Sequence, residues 1–487
     1  MTVGGSSSVK SALAEQHDLE LGGLAMKKMK VLSLLLVAVM LVLAACGGGG
    51  NKSSNESGGS ANSGTEAENS GSNNGGSANN GSSEQPADEP EPIDLGGRTI
   101  RVAAWWDPKP AGNTVDEQAR LDKIAELEQK FNFTFEWINI PFEEYMDKLT
   151  TSTLAGEPFA DIAIMEVKRA IPVVKQGLVL PLSEFTAATD DINNEQRLMR
   201  KLTPIGGVEY AFGEPGVSIV GMYYNRDLVK RLGVKDPQEL YNAGEWNWEA
   251  FLQLAKDATR DTDNDGTLDT FGYAGWAADA ARHFGAANGA LFVNEDLTLG
   301  MTDPKMIEAL EFVNRLYNVE NVVKVKTGNK MDWNETNTFK DGDVLMSINY
   351  DWNMGDLTFE VGVVPNPAGP QSDGKTTYAN TAQNAWFILK GVKDPQIVYS
   401  IFEKSFDFES TAEYLGQDWL ESRFKTQEDI DMALQHINGT GRLSLEEGIP
   451  DFPFYAIMDE IIMQNQSVSA TIEKYRPDAE AALEKVR

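Results

Sequence analysis

The sequence predicts an α/β fold, and three observations predict it. Short apolar runs that read as strands alternate with amphipathic segments of helical period, the pattern of parallel βαβ units. The chain of 487 residues is long enough for two or three domains, each able to bury a core. Its 41% hydrophobic and 24% charged residues are ordinary for a globular protein.

The first elements are not fold. Met26-Lys27-Lys28-Met29-Lys30 is basic, and an apolar run follows from Val31 to Leu43. Leu43-Ala44-Ala45-Cys46 then offers small residues before a cleavage point, so 26–45 reads as a secretory signal peptide. The run is short for a bilayer span, which needs about 20 residues. The stretch resembles the bacterial lipobox, which makes Cys46, the single cysteine, the expected lipidation site. Two acyl chains there would anchor the chain stably where one would not. Residues 1–25 lack signal character and read as an extension upstream of a start at Met26. Residues 46–93 are mostly Gly, Ser and Asn, then Pro and Glu, and cannot bury enough apolar surface to offset ordering entropy. As a flexible coil this tether reaches about 35–40 Å.

The folded body is expected from Asp94. Thr99–Ala103 is a strand candidate leading into Trp105-Trp106-Asp107. Leu121, Ile124, Ala125, Leu127 and Phe131 share one face of a helix. Phe133, Phe135 and Trp137 alternate with polar residues, as a strand does. A helix over roughly 143–154 precedes an apolar strand over 160–165, which ends at Glu166. Ile219–Tyr224 is strand-like, and Asn247 can cap a helix with Glu249 in its first turn. Residues 344–348 form a strand that runs into Asn349-Tyr350-Asp351-Trp352-Asn353. Residues 359–364 and 385–389 are further strands, and the chain beyond Pro450 is mostly helical. Ligands of α/β sheets bind beyond the carboxyl ends of the strands, which points to Trp105, Trp106, Asp107 and Glu166.

Charge and composition exclude several functions. With 42 basic against 74 acidic residues and a net charge of -32, neither nucleic acid nor an anionic membrane surface is a fitting partner. One cysteine excludes an intrachain disulfide and a multi-cysteine metal site. No zincin helix or nucleophile elbow occurs. Paired carboxylates could serve a glycosidase, but in so acidic a chain most are solvated surface.

Two features carry chemistry. In Asp261-Thr262-Asp263-Asn264-Asp265-Gly266-Thr267-Leu268-Asp269, carboxylates at positions one, three and five converge around a glycine turn. Asp261, Asp263, Asp265, the Thr267 carbonyl and Asp269 form an expected calcium site of structural role. Gly272 stands where an EF-hand has its bidentate glutamate, so water or a distant carboxylate would complete the shell; the alternative is an acidic surface turn. The second feature is ten tryptophans. Aromatic faces stack on sugar rings while carboxylates and amides bind hydroxyls. Trp105, Trp106, Trp276, Trp352 and Trp386 stand near strand ends or loops, where stacking on ligand competes with packing in the core. Asp107, Glu166, Tyr350, Asp351 and Asn380 are their polar partners. Trp137, Trp248 and Trp419 read as packing.

Several segments are similar to extracellular solute-binding proteins of family 1, the capture subunits of ATP-driven (ABC) importers. They are Phe159–Ala163 followed by Gln176–Leu182, Met222–Leu228, Asn247–Phe251, and Asp341–Met346 followed by Asp351-Trp352. Their order across the body is that of the family. The resemblance implies a two-lobed, type II periplasmic-binding-protein-like fold with a hinge between lobes. Lobe 1 is expected over 94–218 plus 379–430 and lobe 2 over 219–378 plus 431–487. It further implies a monomeric, lipid-anchored protein on the extracellular face of the bacterial cell membrane. Such a protein captures a carbohydrate, expected to be an oligosaccharide, and delivers it to permease subunits without catalysis. Asp107, Glu166 and Asp351 would bind hydroxyls while Trp106, Trp276 and Trp352 stack. A surface sugar sensor or adhesin is the alternative, and a secreted glycoside hydrolase a more distant one.

Overall fold

The computed structural model describes residues 94–186, 208–213 and 216–487. The signal segment, Cys46 and the tether lie outside the described residues. All described residues fall in one unit, Asp88–Arg487.

The first lobe begins with β1 (Arg98–Ala104), β2 (Phe133–Asn139) and β3 (Ile162–Glu166), joined by helices Val115–Phe131 and Phe142–Leu154. The alternation in β2 is as the sequence reads: Phe133 and Phe135 are buried while Thr134 and Glu136 face solvent. In the helix Val115–Phe131 only Ile124 and Leu127 are buried. Ala125, expected on the same face, is exposed, because one residue turns a helix by about 100° and the buried stripe here is narrow.

The second lobe carries β4 (Val220–Asn225), β5 (Phe271–Tyr273), β6 (Val344–Tyr350) and β7 (Val361–Val364). Asn247 caps helix Trp248–Ala258 as expected, its Oδ1 accepting from the amides of Glu249 and Ala250, both at 3.0 Å. The chain returns through β8 (Tyr378–Asn380) to β9 (Asn384–Ile388), and later forms β10 (Gly441–Leu443) beside β8. The first sheet has the order β2-β1-β3-β9 and the second β5-β6-β4-β7.

The expected parallel pairing holds for β1 with β2 and β3, and for β5 with β6. It fails for β9, antiparallel to β3, and for β4, antiparallel to β6 and β7. The strands that break the rule are those by which the chain enters each sheet from the other lobe, so no βαβ crossover dictates their direction.

One core lies under the first sheet and includes Val102, Ile164, Phe212, Trp386 and Phe402. A larger one in the second lobe centres on Phe251, Phe284 and Phe312. Leu420, Phe424 and Ile430, within the segment expected in lobe 1, pack instead with Val220 and Tyr223 of the second sheet. They offer a short apolar face whose destination only the fold decides. The C-terminal helix Val468–Val486 contributes to the second-lobe core and, through Ala482, Leu483 and Val486, to a cluster containing Ile171 of the first lobe. Among the described residues no helix is long and apolar enough to cross a membrane.

Candidate functional site

Glu166 ends β3 and the helix Val167–Lys175 starts directly after it, which projects Lys168 and Arg169 back beside it. Lys168 Nζ lies 3.7 Å from a Glu166 carboxylate oxygen, and Arg169 Nε donates to the other. From the second lobe comes the helix Ala277–Ala287, whose N-cap is Trp276. Asp279 and Arg282 are one turn apart on it, both buried, and pair at 3.0 Å. Tyr350 ends β6, and the turn Asp351–Asn353 carries Trp352 outward. Trp333 opens the short helix Trp333–Thr336, Thr381 and Ala382 link β8 to β9, and Glu447 sits in the turn Glu446–Gly448. These residues line one cavity of about 190 Å³ between the lobes.

Its floor is a charge network. The Arg282 guanidinium, 2% exposed, meets Glu446 at 2.6 Å and Glu447 at 3.1 Å. Glu447 also accepts from Lys168 Nζ and from the Tyr455 hydroxyl. Burial alone would raise the Glu447 carboxyl, but Arg282 and Lys168 prevail and hold it at about 2. For Asp279 burial wins, and its carboxyl is raised despite Arg282. The Tyr350 hydroxyl donates to Asp279 Oδ2 at 2.9 Å and lies 2.8 Å from Thr381 Oγ1. Burial and the Asp279 charge push that phenol well up, so it acts as a hydrogen-bonding group, never as an anion.

One wall is aromatic. Trp352, 53% exposed, stacks with Tyr350 at 5.3 Å and 21° and with Trp333 at 6.3 Å and 28°. Trp276 meets Trp333 edge-on at 6.2 Å and Tyr455 at 6.1 Å and 31°. Trp276 Nε1 donates to the Met331 carbonyl at 2.9 Å, which fixes the ring. Exposed ring faces beside buried carboxylates and donors suit a ligand with apolar faces and hydroxyl edges.

Of the residues expected at a site, Glu166, Trp276, Tyr350 and Trp352 line this cavity. The others stand elsewhere. Trp105 packs edge-on against Phe142 and Tyr145, and Trp106 is 40% exposed at the end of β1. Asp107 accepts from the Lys109 amide in its own turn. The Asp351 carboxylate is turned to Trp419, whose Nε1 donates to it at 2.8 Å. Asn380 donates to Gln383 within the crossing segment. Trp386 is a core residue: it is 5% exposed on β9 and packs edge-on against Phe402, because a residue inside a sandwiched strand has no solvent face. Lys168, Asp279, Arg282, Trp333, Thr381 and Glu447 were missed. Only an i,i+3 acid–base pair at Asp279 and Arg282 could have pointed to any of them.

In the acidic loop, carboxylate oxygens of Asp261, Asp263 and Asp265 gather within 4.8 Å of one another. Gly266, at φ 92°, makes the turn, and its amide donates to Asp261 Oδ2 at 2.8 Å. The Asp269 carboxylate accepts from Thr262, and the Thr267 amide donates to Asp265 at 2.7 Å.

Comparison with known proteins places this arrangement. A profile described as bacterial extracellular solute-binding protein matches residues 111–403. A binding protein of Brucella abortus (strain 2308) is 24% identical over 354 residues, covering 70% of this chain and 81% of that one. Solved structures share the fold at low identity. The maltose/maltodextrin-binding domain MalE of Bdellovibrio bacteriovorus, bound to maltotriose, gives a TM-score of 0.54 at 14% identity, covering 79% of this chain and 100% of that one. A substrate-binding protein of Listeria monocytogenes in complex with cycloalternan gives 0.55 at 16%, covering 80% and 98%. UgpB of Mycobacterium tuberculosis in complex with glycerophosphocholine gives 0.56 at 15%, covering 80% and 99%.

Proposed function

The chain belongs to the bacterial extracellular solute-binding proteins, the capture components of ABC transporters, and we propose that its solute is a carbohydrate, most simply an oligosaccharide, held between the lobes. The observation that carries this reading is that Trp276, Trp333, Tyr350 and Trp352 line one cavity together with the Glu166, Lys168 and Asp279 side chains. Ring faces would take the apolar sides of the sugar and the charged groups its hydroxyls. Several solved proteins of this fold are recorded with maltotriose or cycloalternan, which supports the class of ligand.

The same reading extends outward from the cavity. The protein would be held at the extracellular face of the cell membrane through lipidated Cys46, act as a monomer, and pass its solute to permease subunits without chemical change. The Asp261–Asp269 loop would hold a structural calcium ion.

The experiment is a thermal-shift panel of mono- and oligosaccharides, with glycerophosphocholine as a competing class. A ligand that binds only the folded state raises the melting temperature by mass action, by about 2.7 kcal/mol of stability at a hundredfold excess over Kd. At least one sugar is expected to do so and to be recovered unchanged. A shift with glycerophosphocholine and with no sugar refutes the carbohydrate reading, and turnover of a bound sugar refutes the non-catalytic one.

A further inference from the structure

Aromatic faces and buried carboxylates together are the two ingredients of a site for organic cations, since a cation is drawn to ring faces and to negative charge alike. Trp276, Trp333, Tyr350 and Trp352 supply the faces in this cavity, and Glu166, Asp279 and Glu447 the carboxylates. Here, however, the chain supplies the cation itself. Lys168 Nζ donates to one oxygen of Glu447 and lies 3.7 Å from one oxygen of Glu166. The second Glu166 oxygen accepts from Arg169, and the second Glu447 oxygen lies 3.1 Å from Arg282. Asp279 gives one oxygen to Arg282 at 3.0 Å and the other to the Tyr350 hydroxyl at 2.9 Å. Every carboxylate oxygen of these three residues thus has a partner within the chain.

The cations are not equivalent. Arg282 is divided among Asp279, Glu446 and Glu447, and it also lies over the Phe454 ring at 4.0 Å. The Arg169 side chain is 41% exposed, so solvent screens its charge. Lys168 is only 7% exposed, and its ammonium stands between Glu166 and Glu447. A charge so placed acts several times more strongly than in bulk water. An arriving ammonium group would find the carboxylates already paired and a like charge beside them. An arriving anion would find the cations already engaged and the carboxylates facing it. An uncharged solute incurs neither penalty.

We infer that Lys168 is a specificity-determining residue: its ammonium takes the place between Glu166 and Glu447 that a cationic solute would occupy, and so reserves the aromatic cavity for uncharged solutes. The inference rests on this cavity being the solute site, but not on the solute being a sugar.

The test uses three probes of one shape: choline, its uncharged isostere 3,3-dimethylbutan-1-ol, and anionic 3,3-dimethylbutanoate. Each is titrated calorimetrically into the full chain at constant ionic strength, and the affinity of each ion is read relative to that of the alcohol. In the parent neither ion should bind more tightly than the alcohol. Lys168→Gln is expected to raise the choline-to-alcohol ratio about tenfold, a modest share of what one charge exerts at a few Å in a poorly solvated site. Lys168→Arg keeps the charge and should leave the ratio as in the parent. Adding Trp352→Ala to Lys168→Gln should abolish the gain, because the probe then loses a ring face. If Lys168→Gln does not fold, Glu166→Gln decides. It releases Arg169 and part of Lys168, and should raise the butanoate-to-alcohol ratio about tenfold by the same reasoning. A parent that prefers choline would overturn the inference. So would a Lys168→Gln ratio equal to the parent's, or a gain that survives Trp352→Ala. A sugar panel that finds no ligand leaves each of these outcomes as decisive as before.

Discussion

His283 is fully buried, with its Nδ1 accepting from the Ala379 amide at 3.3 Å and its Nε2 3.4 Å from the Tyr350 hydroxyl. Nδ1 is thus an acceptor, and the neutral ring carries its proton on Nε2. Burial, reinforced by Arg282 and opposed by Glu446, pushes its pKa down from 6.5 to about 3. The native protein therefore refuses a proton that the unfolded chain accepts once pH falls below about 6.5. Stability from this group is complete above that pH and is lost on acidification down to about 3, with a limiting slope of about 1.4 kcal/mol per pH unit. Urea unfolding of parent and His283→Gln between pH 6.5 and 5, above most of the carboxylate range, should show a shallower loss in the variant; equal slopes refute the assignment. The cavity was only half legible at this scale. Trp276, Tyr350, Trp352 and Glu166 could be found because each stands at a strand end or a loop. Lys168 and Glu447 are 279 residues apart, and Trp333 opens a four-residue helix. No local period marks such residues, and they meet only when the lobes do.

Strands were the legible elements, since each is a short apolar run bounded by turn or polar residues. Their pairing was not, because β9 reaches β3 more than two hundred residues along the chain and its direction follows from the return between lobes. The loop Asp261–Asp269 was readable down to its turn, since Gly266 supplies the positive φ and the acids alternate on one side of it. Three carboxylates gathered within 4.8 Å of one another repel, and backbone amides such as that of Gly266 offset part of this, where a bound cation would offset more. Extracellular modules bind calcium at about 10⁻⁴–10⁻³ M. Chelation by EGTA should therefore lower the melting temperature by a few degrees, and calcium should restore it. Asp263→Asn should blunt both changes. An unchanged melting curve at saturating calcium eliminates the structural ion.

For the molecule as a whole, the decisive quantity is the net charge of -32. Like charges spread over one surface repel, and folding concentrates them. Exposed ion pairs such as Lys485 with Asp451 or Arg476 with Glu473 oppose this only weakly, because solvent screens them and long side chains lose entropy. The Arg282 network is buried between the lobes and is screened much less. Raising ionic strength from 0.01 to 0.15 M shortens the Debye length from about 30 to about 8 Å. That removes repulsion across the surface while leaving the buried network in place. The melting temperature of the ligand-free protein should therefore rise with sodium chloride over this range, with EGTA present throughout so that the acidic loop contributes only its charge. A fall would mean that exposed ion pairs outweigh the repulsion. No change would mean that the acidic groups are far enough apart for repulsion to be negligible even at low salt. In a second series with calcium in place of EGTA the rise should be smaller, since a bound ion would already cancel part of the acidic loop's charge.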